Sequence, residues 1–107
     1  MSFNKIGDVL VDQGNLAEAL KFYRDDLAIM EQLAQADPGN AGWQRDLSVS
    51  HAKLANVFTK TGERVKAIDA LHQGRAIMER LTKMSPHNAV WKRDLVWFDG
   101  RIRELAR

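Results

Sequence analysis

The sequence predicts an all-α fold of about five helices that pair in antiparallel fashion, and two observations support this. Apolar side chains recur every three or four positions, as in Leu16, Leu20 and Tyr23, which is the period of a helix rather than of a strand. The chain also repeats itself, since residues 1–59 and 49–107 share 17 identities in 59 aligned pairs, where unrelated sequences would share roughly 3 or 4. We therefore expect a stacked array of similar helix pairs.

Helix-breaking residues mark the boundaries of these helices and recur 48 positions apart. Gly14 and Gly62 are expected to end helices in the left-handed conformation that glycine adopts without strain. Asn40 and Asn88 each follow a proline by two positions. A short amide side chain at such a place can accept hydrogen bonds from the first free backbone N–H groups, so both residues are predicted to be N-caps.

Five helices follow from these boundaries, with loops of roughly two to five residues between them. The predicted ranges are 2–13, 16–36, 41–60, 64–84 and 89–106. Asn15 is expected to cap the second helix, with Glu18 three residues later completing a capping box. The chain is read as a single domain in which the first repeat covers about 1–48, the second about 49–96, and 97–107 begins a third helix pair.

Composition indicates an ordinary globular chain, with 45% hydrophobic and 28% charged residues in 107. No apolar run approaches the roughly 18 residues that cross a bilayer, and no signal segment is visible, so we expect no membrane contact and a cytoplasmic location. The absence of cysteine excludes disulfides and thiolate chemistry.

Charge is unevenly distributed along the chain. Residues 1–48 carry 4 basic and 8 acidic groups, a net charge of −4, whereas residues 49–107 carry 12 and 6, a net charge of +6. The whole chain has a net charge of only +2. Because few aromatic residues are interleaved with the bases, nucleic-acid binding is not expected.

No catalytic or metal-binding motif is present, so the prediction is a protein that is not an enzyme and has no cofactor or metal. His51 falls on an apolar helix arc and is expected to pack in the core, whereas His72 and His87 are expected at the surface. Met30, Met78 and Met84 are expected to fill the core.

We predict structural rather than ligand-binding roles for two sets of residues that recur in both repeats. Trp43 and Trp91 open equivalent helices and are expected to wedge between neighbouring ones. Arg45-Asp46 and Arg93-Asp94 are adjacent in sequence, so their side chains diverge on a helix and are expected to make separate cross-helix or solvent contacts.

The spacing of small and large apolar residues resembles that of tetratricopeptide repeats over nearly the whole chain. The matching positions are Ile6-Gly7, Leu10, Gly14, Ala19 and Tyr23 in the first repeat, and Leu54-Ala55, Phe58, Gly62, Ala67 and Leu71 in the second. The family's usual period is 34 residues, so a period of 48 is similar to its long-helix bacterial variant, with an excess of 14 residues that could add about two turns to each helix. The resemblance implies a right-handed α-solenoid that mediates contacts between proteins.

The resemblance also implies a binding face. If Leu54, Ala55 and Phe58 pack inward, the opposite arc of each first helix lines the concave surface. The predicted peptide- or partner-binding residues there are Asn4, Asp8, Arg45, Val49, Asn56, Lys60, Arg93, Trp97 and Glu104. Trp97 is singled out because its counterpart is Val49. Two roles stay open for it: it anchors a ligand, or it covers the end of the array or packs against another copy of the chain.

Two hypotheses of function follow. The first is a non-enzymatic scaffold that binds a peptide or partner helix along the concave face. The second is a self-assembling module in which the acidic end of one chain meets the basic end of the next, giving a homo-oligomer through exposed end helices.

Overall fold

A computed structural model describes the backbone of residues 3–107 and the side chains from residue 6 onward. Its five helices are α1 (Phe3–Asp12), α2 (Leu16–Ala36), α3 (Ala41–Lys60), α4 (Arg64–Met84) and α5 (Ala89–Ala106). The described residues contain no strand. The all-α prediction is confirmed, and so are the predicted bounds of the last four helices. The first helix ends at Asp12, one residue earlier than expected.

The α1–α2 and α3–α4 turns have the same geometry. Gly14 and Gly62 both have φ of +80°, and the residue after each donates its N–H to a carbonyl five residues earlier, at 2.8 Å in both turns. Their role as left-handed helix terminators is therefore confirmed, because this backbone region costs other residues energy.

Two of the three predicted asparagine caps are confirmed. The side chains of Asn40 and Asn88 accept hydrogen bonds from the backbone N–H of Trp43 and Trp91, each at 3.0 Å. The capping box at Asn15 is wrong, since Asn15 makes no side-chain cap. The preceding glycine turn sets its backbone at φ −83° and ψ 65°, close to Glu63 in the equivalent place, rather than in the extended conformation of Asn40.

Each helix packs against its neighbours in sequence, and α1 also touches α3. One core cluster joins α2, α3 and α4 around the buried Tyr23, Val57 and Ala67. A second joins α3, α4 and α5 around Leu71, Met78 and Phe98. The array is therefore held by helix-to-helix burial in sequence order, which stabilises helices that would each expose an apolar stripe alone.

The small residues of the repeat signature permit close helix approach. A Cβ atom on Gly7 would overlap the ring of Tyr23, so only glycine lets α1 come this near to α2. In the second repeat Ala55 and Leu71 lie in the same buried cluster.

Most expectations for single core residues are confirmed, with one exception. His51 is buried, and His72 and His87 are exposed. Met78 is fully buried and Met30 is half-buried, but Met84 is 67% exposed. Met84 is the last residue of α4, where the helix ends at a surface cavity, so its prediction as core filler is wrong.

The two tryptophans at helix starts are half-buried. Trp91 packs against the second core cluster, in agreement with the expected wedge between helices. None of the helices in the described part of the chain is long and apolar enough to cross a membrane.

Candidate functional site

Two adjoining cavities lie between α3 and α5. The first, of about 190 Å³, is lined by Ala52, Lys53, Ala55, Asn56, Leu71, Trp97 and Arg101. The second, of about 250 Å³, is lined by Ser48, Val49, Ala52, Asp94, Trp97 and Phe98. Ala52 and Trp97 line both cavities, so the two form one continuous depression, called the α3–α5 groove below.

Trp97 stands at the centre of this groove. Its side chain is 47% exposed, although Phe98 beside it is buried. The two rings meet edge to face, with centroids 5.1 Å apart and planes at 82°. Such a contact is favourable for aromatic pairs. A large indole is therefore supported from one side by a buried ring and open to solvent on the other.

The first cavity has a basic lining. Lys53 and Arg101 line it together with the amide of Asn56, and no carboxylate among the described residues lines it. The Lys53 ammonium lies 3.0 Å from both carboxylate oxygens of Asp8 on α1. The Arg101 guanidinium donates to Glu104 at 2.7 Å, one turn further along α5. Both cations thus have one acidic partner outside the cavity and face the cavity as well.

Asp8 is held by two donors. The Tyr23 hydroxyl donates to the same carboxylate that pairs with Lys53. Burial raises the pKa of Asp8, but the hydrogen bonds from Tyr23 and Lys53 and the charge of Lys53 outweigh burial and leave this pKa below its ordinary value. Burial first, and the hydrogen bond to Asp8 second, raise the pKa of Tyr23. At neutral pH, Asp8 is therefore an anion and Tyr23 a neutral donor.

A comparison of equivalent residues in the two repeats explains the first cavity. Residues 48 positions after Asp8 and Tyr23 are Asn56 and Leu71. Leucine has neither the ring length nor the hydroxyl of tyrosine, and asparagine has no negative charge. The place that Tyr23 and Asp8 fill in the first repeat is therefore an opening with a neutral amide in the second.

A salt bridge closes the other end of the groove. The Arg45 guanidinium on α3 donates to the Asp94 carboxylate on α5 at 2.8 Å. Arg45 thus has one of the two roles predicted for it, a cross-helix contact. Asp46 and Arg93, the other members of the two pairs, are exposed.

The structure brings together some of the residues predicted from sequence. Val49, Asn56 and Trp97 line the groove. Arg45 contacts the groove-lining residue Asp94. Asp8 is paired with Lys53, and Glu104 with Arg101.

The remaining predicted residues do not line the groove. Lys60 and Arg93 are exposed away from it. The side chain of Asn4 lies outside the described residues.

Sequence reasoning missed Lys53 and Arg101. A signal for them existed, since they lie one helical turn after Val49 and Trp97 and are themselves 48 residues apart. Side chains four positions apart share a helix face, so extending the predicted arc by one turn would have included both.

A sequence model described as tetratricopeptide repeat matches residues 1–38, a range that contains α1 and α2. A search of curated proteins finds no match to the chain.

Proposed function

We propose that this chain, of which residues 1–38 match a tetratricopeptide repeat model, is a binding module that holds a peptide or partner helix in the α3–α5 groove. Repeats of this family serve contacts between proteins. The observation that carries the proposal is Trp97, a half-exposed indole between two adjoining cavities.

Trp97 is suited to anchor a ligand. Tryptophan is enriched among the few residues that dominate binding energy at interfaces, and such residues lie in the centre of a contact patch. Its edge-to-face contact with Phe98 limits the motion of the ring, so little conformational entropy would be lost on binding.

The two cavities beside Trp97 differ in the chemistry of their lining residues, and this difference indicates which kind of ligand would fit. Lys53, Arg101 and Asn56 offer positive charge and hydrogen-bond donors in the first cavity. The second is mainly apolar, and the carboxylate of Asp94 in its lining is already neutralised by Arg45. The best match is a peptide with a large apolar side chain next to an acidic one.

The experiment is a selection from a displayed random-peptide library against the full chain, followed by affinity measurements on synthetic versions of the enriched peptides. We expect Trp97→Ala to weaken their binding at least about tenfold, as for a dominant interface residue. Val96→Ala is the matched control, because Val96 is the adjacent residue of α5, is exposed, and lines neither cavity. A folded Trp97→Ala protein that binds the enriched peptides as tightly as the parent would refute the proposal.

A further inference from the structure

A second surface depression is lined by residues of α2, α3 and α4. It consists of a cavity of about 360 Å³ that includes Glu31 and Leu47 and one of about 300 Å³ that includes Leu81 and Met84. Pro38, Gln44 and Arg80 line both, so the two are continuous. We call this depression the Arg80 cleft. It shares no lining residue with the α3–α5 groove.

The Arg80 cleft carries one unpaired charge of each sign. Glu31 lies on α2 and Arg80 on α4, and both side chains are exposed. Within the described part of the chain neither forms a salt bridge, although the neighbouring Glu79 is paired with both Arg75 and Lys83. A partner that supplies a cation for Glu31 and an anion for Arg80 would therefore neutralise both charges of this cleft.

The same cleft has an apolar part that is open to solvent. Met84 is 67% exposed at its edge, while Ile77 and Leu81 form buried parts of its lining. A flexible, unbranched methionine side chain adapts to many surfaces. Cavities of about 300 Å³ and about 360 Å³ have room for a side chain of this size.

We propose that the Arg80 cleft is the interface of a two-fold symmetric dimer of this chain. In such a dimer each patch faces an identical patch, so residue i of one molecule meets residue j of the other and the reverse. Arg80 of each molecule then pairs with Glu31 of the other, and Met84 of each enters the apolar part of the opposing cleft. A partner with charge of one sign would leave one of the two groups unpaired, whereas a second molecule of this chain neutralises both.

This arrangement differs from a contact between the acidic and basic ends of successive chains. A head-to-tail contact leaves one end free at each step and can grow into rings or filaments, whereas a two-fold contact is complete with two molecules. Among the described residues, none lines both the Arg80 cleft and the α3–α5 groove, so the proposed dimer does not use the residues proposed to bind a peptide.

Sedimentation of the full chain across a range of concentrations at low salt tests the proposal. We expect a particle of about twice the monomer mass of 12.1 kDa that dissociates on dilution. Arg80→Glu and Glu31→Arg should each weaken dimerisation at least tenfold, because each places like charges opposite each other twice. Lys92→Glu, the same change of charge at an exposed residue of α5 outside the cleft, should leave the dimer intact.

Mixing the two single variants makes the test specific for two-fold pairing. The Arg80→Glu variant carries acidic groups at positions 31 and 80, and the Glu31→Arg variant carries basic groups at both. The two variants should therefore form a heterodimer when mixed, although each alone is monomeric. The double variant Arg80→Glu with Glu31→Arg should also dimerise. A parent chain that stays monomeric at high concentration overturns the proposal, as do particles larger than a dimer, a dimer unaffected by the single reversals, or a mixture that stays monomeric.

Discussion

At the scale of single residues, the buried polar groups of the core differ in their hydrogen bonding. Asp26 and Ser50 are buried together, and the Ser50 hydroxyl donates to the Asp26 carboxylate at 3.0 Å. Ser48 is satisfied by its own helix through the carbonyl of Arg45. His51 is also buried, but within the described residues its imidazole has no hydrogen-bond partner. A buried group without a partner is costly to charge.

His51 should therefore make stability depend on pH. Burial lowers its pKa from the ordinary 6.5. Below about pH 6.5 the unfolded chain takes up a proton at this residue while the folded chain does not, so the free energy of unfolding falls as the pH decreases toward the lowered pKa. The contribution of His51 to the free energy of unfolding is fully present above about pH 6.5 and is lost on acidification.

Urea denaturation at several pH values between about 7.5 and about 5.5 measures this effect. His51→Leu should remove part of the pH dependence in this window, because leucine does not titrate. His72→Gln is the control, since His72 is exposed, and it should retain the dependence of the parent. An equal pH dependence in His51→Leu and the parent would contradict the assignment.

At the scale of helices, small residues decide how closely two of them approach. The α4–α5 contact has Gly74 against the ring of Phe98, where an added Cβ would lie 2.5 Å from a ring carbon and 3.2 Å from the Ser48 carbonyl oxygen. The equivalent positions 48 residues earlier are Asp26 and Ser50, which form the buried hydrogen bond. One repeat thus fills this place with a polar pair and the other with a glycine and an aromatic ring.

Gly74→Ala should therefore lower the free energy of unfolding by up to about 2 kcal/mol, because overpacking costs about 1–3 kcal/mol and the better helix propensity of alanine returns about 1 kcal/mol. Gly100→Ala is the matched control within α5. Nothing lies within 4 Å of an added Cβ there, so stability should rise by up to about 1 kcal/mol. Chemical denaturation of both variants decides the point, and a Gly74→Ala protein as stable as the Gly100→Ala protein would disprove the steric argument.

At the scale of the whole molecule, salt bridges connect different helices. Asp8 to Lys53 joins α1 to α3, Arg45 to Asp94 joins α3 to α5, and Arg75 to Asp99 joins α4 to α5. The first two also join the acidic half of the chain to the basic half. Asp8–Lys53 pairs an acid of the acidic half with a base of the basic half, whereas Arg45–Asp94 pairs a base of the acidic half with an acid of the basic half. Both contacts border the α3–α5 groove.

The Asp8–Lys53 contact should restrain the proposed binding site. Asp8→Asn keeps an oxygen that can accept from Tyr23 but removes the charge that holds Lys53. Affinity for acidic peptides in the groove should rise by about two- to fivefold, which corresponds to the weak free energy of an exposed ion pair, while stability should fall by less than about 1 kcal/mol.

Titration of the library-derived peptides at low and moderate salt measures this change. Asp12→Asn is the control, because Asp12 is an exposed acid of the same helix and has no salt bridge in the described part of the chain. Weaker binding by a folded Asp8→Asn protein, or equal gains in both variants, would contradict the role given to Asp8.

The sequence by itself determined the helices and their equivalence. Helix boundaries depend on interactions within a few residues, such as the left-handed turns at Gly14 and Gly62 and the caps at Asn40 and Asn88, and these signals are visible along the chain. The capping box at Asn15 failed because a neighbouring turn, rather than the side chain, set the backbone there.

Only the tertiary structure decided which side chains meet across helices. Partners such as Lys53 with Asp8, or Arg45 with Asp94, are 45 and 49 residues apart in sequence, and their meeting depends on how far apart α1, α3 and α5 lie and how they are rotated. The helical position of Trp97 predicted which arc of α5 it occupies, but the two cavities beside it and the exposure of Met84 depend on what neighbouring helices cover. Helical periodicity specifies the direction of a side chain from its own axis, whereas the spacing between helix axes results from the packing of the whole core.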